Sequence, residues 1–217
     1  MLYFCHWPYR LTARTEPSQG LNRGSIPRRV TIYLALKKMT LLQISQLGHP
    51  VLRQKAAPVP IKDIKNKDIQ DLIDNMIETG VDNGGVGIAA PQVFQSLQIF
   101  IISSKSNPWY PKAPTVKPTA IINPTIISLS KDKDLSWEGC LSFPGVKGRV
   151  SRHKTVTATF LDRNGKQKQK TFKGLLARVF QHEFDHLQGI MFTDITDPKT
   201  FVTEKEYQKI LRKASKK

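Results

Sequence analysis

The segment Gly174–Gln188 constrains this chain more than any other. It reads as a helix stopped by Gly189, and it contains His182-Glu183-Phe184-Asp185-His186. Residues four apart on a helix share a face, so both imidazoles can reach one cation. Leu175 and Val179 continue that stripe, which sets the histidines at the edge of an apolar face rather than in open water. Glu183 lies one step round the helix, near enough to take a proton from a water held beside the histidines. The bland alternative is an ordinary exposed helix on which the five-residue pattern arose by accident.

The rest of the chain supplies what such a helix packs against. Ile64–Thr79, with Ile69, Leu72, Ile73 and Met76 at helical spacing, is expected to be a helix, and Gly80–Gly87 a glycine-rich turn. Gln98–Ser103, Ala120–Leu129, Thr155–Leu161 and Lys168–Phe172 read as strands, the last two joined by the hairpin signal Asp162-Arg163-Asn164-Gly165. Asn107–Pro118 carries four prolines and is expected to be a loop. Glu204–Ala214 is expected to be a second, basic helix on the surface. Strands in antiparallel-style pairs around one buried helix favour an α+β fold: antiparallel or mixed strands packed around a central metal-binding helix, with a C-terminal helix.

Charge divides the chain. Its formal net charge is +17 over 217 residues. Residues 1–39 hold seven basic residues against one acidic, and residues 199–217 hold seven against two. The 159 residues between them supply the remaining +6, so most of the excess is terminal. Residues 1–39 form an N-terminal extension with two readings: an organelle transit peptide, Arg-rich and acid-poor, or sequence upstream of a true start at Met39. The first implies a mitochondrion or plastid, the second the cytoplasm. Residues 40–217 are the expected catalytic domain. No apolar run approaches the ~20 residues that span a bilayer, so no membrane partner is expected. The two cysteines, Cys5 and Cys140, cannot make a disulfide framework.

A catalytic metal needs a third protein ligand and an open position. No histidine follows His186, and Glu204 and Glu206 stand in the basic tail. Upstream, Cys140 sits in Trp137-Glu138-Gly139-Cys140-Leu141-Ser142, where a thiolate would complete a Cys-His-His set; the alternative is a buried small hydrophobe. The glycine-rich Gly85-Val86-Gly87-Ile88-Ala89-Ala90-Pro91-Gln92 lacks the Lys-Ser/Thr of a phosphate loop. Its glycines would let a substrate backbone approach, and Gln92 offers an amide donor for an oxyanion. The alternative is a tight turn before a strand, with Gln92 solvated.

Taken in order, Gly85–Gln92, Glu138–Ser142 and Gln181–Leu187 resemble the three signature motifs of the peptide deformylases, and Gly48-His49-Pro50-Val51-Leu52-Arg53 is similar to that family's opening segment. The resemblance runs from about Leu41 through the tail. It implies hydrolysis of the N-formyl group from the initiator methionine of newly made polypeptides, with release of formate. It further implies one divalent ion per chain on Cys140, His182 and His186, ordinarily Fe(2+), with zinc, nickel or cobalt able to replace it. Glu183 would move the proton of the attacking water, while the Gln92 amide and the Leu141 N–H stabilise the formyl oxygen. The peptide would pair as an added strand with Val86–Gly87 and around Gly139. Val86, Ile88, Leu175 and Val179 would line a methionine pocket, although Leu175 and Val179 also suit plain core. The implied partners are N-formyl-methionyl nascent peptides and, through the basic C-terminal helix, the ribosome. Lys147 stands where many members carry an arginine that holds the peptide, with Arg149 or Arg152 as candidate substitutes.

Two other readings fit parts of the sequence. A zinc peptidase with a different third ligand would make Cys140 dispensable. A basic RNA- or ribosome-associated module with a structural metal would account for the charge, but its basic residues are little interleaved with aromatics.

Overall fold

The computed structural model describes residues 40–105 and 113–214; the expected extension and the last three residues lie outside them. In chain order come helix α1 (Lys67–Asp82), then strands β1 (Gly87–Ala89), β2 (Ile99–Ser104) and β3 (Val116–Leu129). The hairpin of β4 (Lys133–Cys140) and β5 (Phe143–His153) follows, and then that of β6 (Thr155–Leu161) and β7 (Gln167–Lys173). Helix α2 (Leu175–Leu187), the single turn α3 (Phe192–Ile195), strand β8 (Val202–Thr203) and helix α4 (Glu204–Ala214) complete the described chain.

The strands form two sheets, ordered β1-β2-β3-β6-β7 and β4-β5-β8, and their paired neighbours are antiparallel. Strand β2 is apolar along nearly its whole length because the larger sheet is covered on both faces. Phe100 and Ile102 face a core shared with Val179, Phe180 and Leu187 of α2. Ile99 and Ile101 face one shared with Ile73 and Met76 of α1. Phe180 anchors α2, its ring 5.3 Å from that of Phe100 and 4.9 Å from that of Phe172. The other side of α2, which carries Arg178, His182 and Asp185, meets β4 and β5 through hydrogen bonds. One helix is thus held between an apolar sheet and a polar hairpin, which makes the fold α+β.

Several boundaries differ from expectation. α1 starts at Lys67, because Ile61–Asp63 form a tight 3₁₀ turn, and it runs on to Asp82. Gly80 therefore lies inside the helix, where Ile88 packs on it: an added Cβ would sit 3.2 Å from Ile88 Cγ2. Of the proline-rich segment, residues 107–112 lie outside the described residues, and Val116–Pro118 already belong to β3. A bulge between Ile122 and Thr125 accommodates Pro124, with Asn123 in the left-handed region and its side chain bonded to Val59 N–H and C=O. The hairpin at Asp162–Gly165 forms as expected: Asp162 Oδ1 accepts from the N–H groups of Asn164 and Lys166. The β4–β5 hairpin has no counterpart among the sequence-read strands. Its buried positions include Glu138 and Arg152 beside Val150, so no apolar alternation marks it.

Candidate metal centre

Cys140 ends β4, and the two-residue turn Leu141–Ser142 leads into β5, where Phe143 pairs back with Cys140. The register shifts between Glu138 and Cys140, a bulge that aims the hairpin tip at α2. There Cys140 Sγ lies 3.3 Å from His186 Nε2. One ligand atom from each of Cys140, His182 and His186 falls within 4.8 Å of the others. The three residues proposed from sequence as ligands are therefore brought together. A thiol and two imidazoles suit a soft or borderline divalent ion.

The two imidazoles differ in support: Glu138 holds His182, whereas the buried His186 Nδ1 has no hydrogen-bond partner among the described residues. His182 Nδ1 donates to Glu138 Oε2 at 3.0 Å, which leaves Nε2 for the centre. Glu138 is almost fully buried and is gripped from two sides. Arg152 donates to both its oxygens at 3.0 Å, and Arg178 Nη1 donates to Oε1 at 2.8 Å. Burial alone would raise the Glu138 pKa, but the bonds from His182 and Arg152 outweigh it and hold the carboxylate well below its usual range. Burial likewise opposes charge on His182, yet hydrogen bonds to Cys140 and Glu138 carry its pKa well above normal. Burial, reinforced by the neighbouring His182, depresses His186.

Glu183, next along α2 from His182, is buried, and among the described residues its Oε2 has no hydrogen-bond partner. An orphaned carboxylate oxygen next to three converging ligand atoms fits a site built for an ion and a polar guest. Burial pushes its pKa up to about 7. Gly87 makes room for it, since a Cβ at that position would lie 2.7 Å from Glu183 Cδ. Gln92, in the 3₁₀ turn Ala90–Val93, is 2% exposed. Its Oε1 accepts from Ala89 N–H at 2.8 Å, which turns the NH₂ toward Cys140 Sγ at 3.4 Å and Ser142 Oγ at 3.3 Å. The amide donor therefore faces the centre.

The remaining sequence-predicted residues divide. Val86, Leu175 and Val179 share the cluster on the α2 side. Ile88 is fully buried in the α1 cluster, apart from them. Leu141 packs its side chain against Gly85. Gly139 is covered by the Lys147 side chain, whose Cδ would lie 2.8 Å from an added Cβ. Lys147 reaches Glu204 Oε2 at 3.7 Å and stands over the Tyr207 ring at 5.8 Å, tying α4 to β5. Arg152 is no substitute peptide clamp: it is buried and bonded to Glu138 and Asp185. Arg149 is exposed and lies over the Trp137 ring. Sequence reasoning missed Glu138, Arg178 and Asp185 as supports of the centre. For Arg178 the available signal was helical spacing, because residues 178 and 182 of one helix share a face; the bulge between Glu138 and Cys140 removes the corresponding signal on the strand.

Comparison with known proteins agrees with this geometry. The family model described as Polypeptide deformylase matches residues 41–201. Peptide deformylase 2 of Nostoc sp. is 48% identical over 177 residues, covering 81% of this chain and 98% of that protein. The peptide deformylase of Halothermothrix orenii is 45% identical over 156 residues, covering 72% of this chain and 94% of that one. Among solved structures, the Met-Ala-Ser-bound class I type b peptide deformylase of Acinetobacter baumannii superposes with a TM-score of 0.71. It is 37% identical and the match covers 73% of this chain and 99% of that one. With three ligand residues converging and the family model covering most of the chain, this protein belongs to the polypeptide deformylase family.

Proposed function

We infer that in this chain Cys140, His182 and His186 hold the divalent ion on which the family's reaction depends, with Glu183 as the proton carrier. The reaction is hydrolysis of the N-formyl group from the N-terminal methionine of newly made polypeptides. The carbon–nitrogen bond of the formamide breaks, water supplies OH to the formyl carbon and H to the amine, and formate leaves. The observation that carries this assignment is the orphaned, buried Glu183 Oε2 beside three converging ligand atoms.

When bound, the ion supplies Lewis acidity to the water and to the formyl oxygen. Glu183 accepts the water's proton and returns one to the departing amine. The Gln92 NH₂, locked by Ala89, and the Leu141 N–H at the hairpin turn are the donors for the charge growing on the formyl oxygen. One such donor is worth about 10²–10³ in rate. The peptide lies along β1, which ends its sheet. Val86 C=O accepts from Ser103 N–H at 3.0 Å, so by alternation Gly87 directs its own N–H and C=O to the outer edge. β4 ends the other sheet and offers Gly139 on the opposite side. Val86, Leu175 and Val179 line the methionine pocket, with Ile88 supporting Gly87 from behind.

Iron(II) is the ion we assign by the family resemblance; the donor set also accepts zinc, nickel or cobalt. Formate release from a formyl-Met tripeptide, measured anaerobically with Fe(II) and with Zn(II), tests this. Faster turnover with iron supports the assignment, and no formate under either condition refutes it. Residues 40–217 form the catalytic domain. Among the described residues no helix is long and apolar enough to cross a membrane. The compartment is the cytoplasm if translation starts at Met39, and a mitochondrion or plastid if residues 1–39 are a transit peptide. N-terminal sequencing of native protein decides between them.

A further inference from the structure

We propose that Arg178 is a positioning residue of the metal centre, locking the helix that carries two ligands to the strand that carries the third. With Cys140, His182 and His186 read as the ligands, their separation depends on how α2 is registered against β4. Arg178 lies on α2 one turn before His182 and on the same face. Its Nη1 donates to Glu138 Oε1 at 2.8 Å and to Val150 C=O at 2.9 Å. Its Nη2 donates to Asp134 C=O at 2.6 Å and to Asp134 Oδ2 at 3.1 Å. One guanidinium thus bonds to both β4 and β5.

Glu138 is the hinge of this arrangement. It binds Arg178 through Oε1 and His182 through Oε2, and it stands two residues from Cys140 on the strand. Gln181, bonded to His153 N–H and C=O, His182, bonded to Glu138, and Asp185, bonded to Arg152, hold the middle and end of α2 to the hairpin. Arg178 holds its first turn, so that the helix is fixed at both ends of the stretch that carries the two histidines. Arg152 still grips both Glu138 oxygens when Arg178 is removed. Loss of Arg178 therefore loosens the first turn of α2 against β4 without freeing the carboxylate. A planar fork of five donors does this, and an ammonium cannot span the same partners.

The test uses the full chain loaded anaerobically with Co(II). Visible absorption reports ligand geometry, and excess EDTA reports metal release. Arg178→Lys and Arg178→Met are expected to release cobalt about 10- to 100-fold faster than the parent, with shifted or broadened cobalt bands. Asp134→Asn, which alters only the more exposed contact, is expected to stay within about twofold of the parent, well inside that range. A folded Arg178 variant with parental bands and release rate overturns the proposal. Should Arg178→Met not fold, the lysine variant carries the test through Tm with and without cobalt. A positioning role shrinks the Tm gain that cobalt confers; equal losses in both states mark a purely structural role and overturn the proposal. A parent that binds no cobalt overturns the ligand assignment itself.

Discussion

Glu183 shows how one residue's chemistry follows from where the backbone leaves room for it. Its carboxyl is buried and raised to about 7, while a bound cation pulls the other way. The ionised form is the base, so kcat/KM falls as pH is lowered through the folded-state value. The acid limb is expected at or below about pH 7, and it should vanish in Glu183→Gln. That variant is expected to keep its metal and lose about 10²–10⁴ in rate; metal analysis beside formate assays checks both. Gly87→Ala would press a methyl group into Glu183. A displacement of about 1 Å can cost ~10² in rate, so kcat/KM should fall by that order with metal content unchanged.

At the scale of elements, α2 has two unlike sides. The apolar side is a ring cluster: Phe180 is fully buried between Phe100 and Phe172. Phe180→Ala is expected to cost about 3–5 kcal/mol of unfolding free energy in urea titrations. A loss below 1 kcal/mol would mean that α2 is held mainly from its polar side. That polar side explains what the sequence concealed. The hairpin signal before β7 and the 3.6-residue stripe of α2 were legible because turn chemistry and apolar periodicity are local. The β4–β5 hairpin was not, because Glu138 and Arg152 occupy buried positions that a pattern reader assigns to solvent. Gly80 was misread as a turn because its role, admitting Ile88, depends on a residue eight positions on. The ligands were legible as residue types, whereas their supports, Glu138 and Asp185, declare themselves only when strand and helix are placed together.

At the scale of the whole molecule, the charge noted in the sequence has a partial location. α4 docks through buried Tyr207, whose ring lies 5.5 Å from that of Trp137, while Lys205, Lys209, Arg212 and Lys213 are exposed. We expect that basic face to contact ribosomal RNA. Replacing the four with alanine should weaken ribosome binding and flatten its salt dependence, as loss of phosphate contacts requires, while sparing hydrolysis of small peptides. Binding and salt slope equal to the parent's would refute the contact. The charges, rather than the helix, are the right target, because Tyr207 and the Lys147–Glu204 pair also brace β5.

The central claim, that deformylation proceeds at a Cys140-His182-His186 centre, is tested most directly by measuring formate release and bound metal together in Cys140→Ala. The account predicts that the variant loses its metal or binds it far more weakly, and releases little formate from a formyl-Met tripeptide that the metal-loaded parent hydrolyses. A Cys140→Ala protein with parental metal content and parental turnover would contradict it.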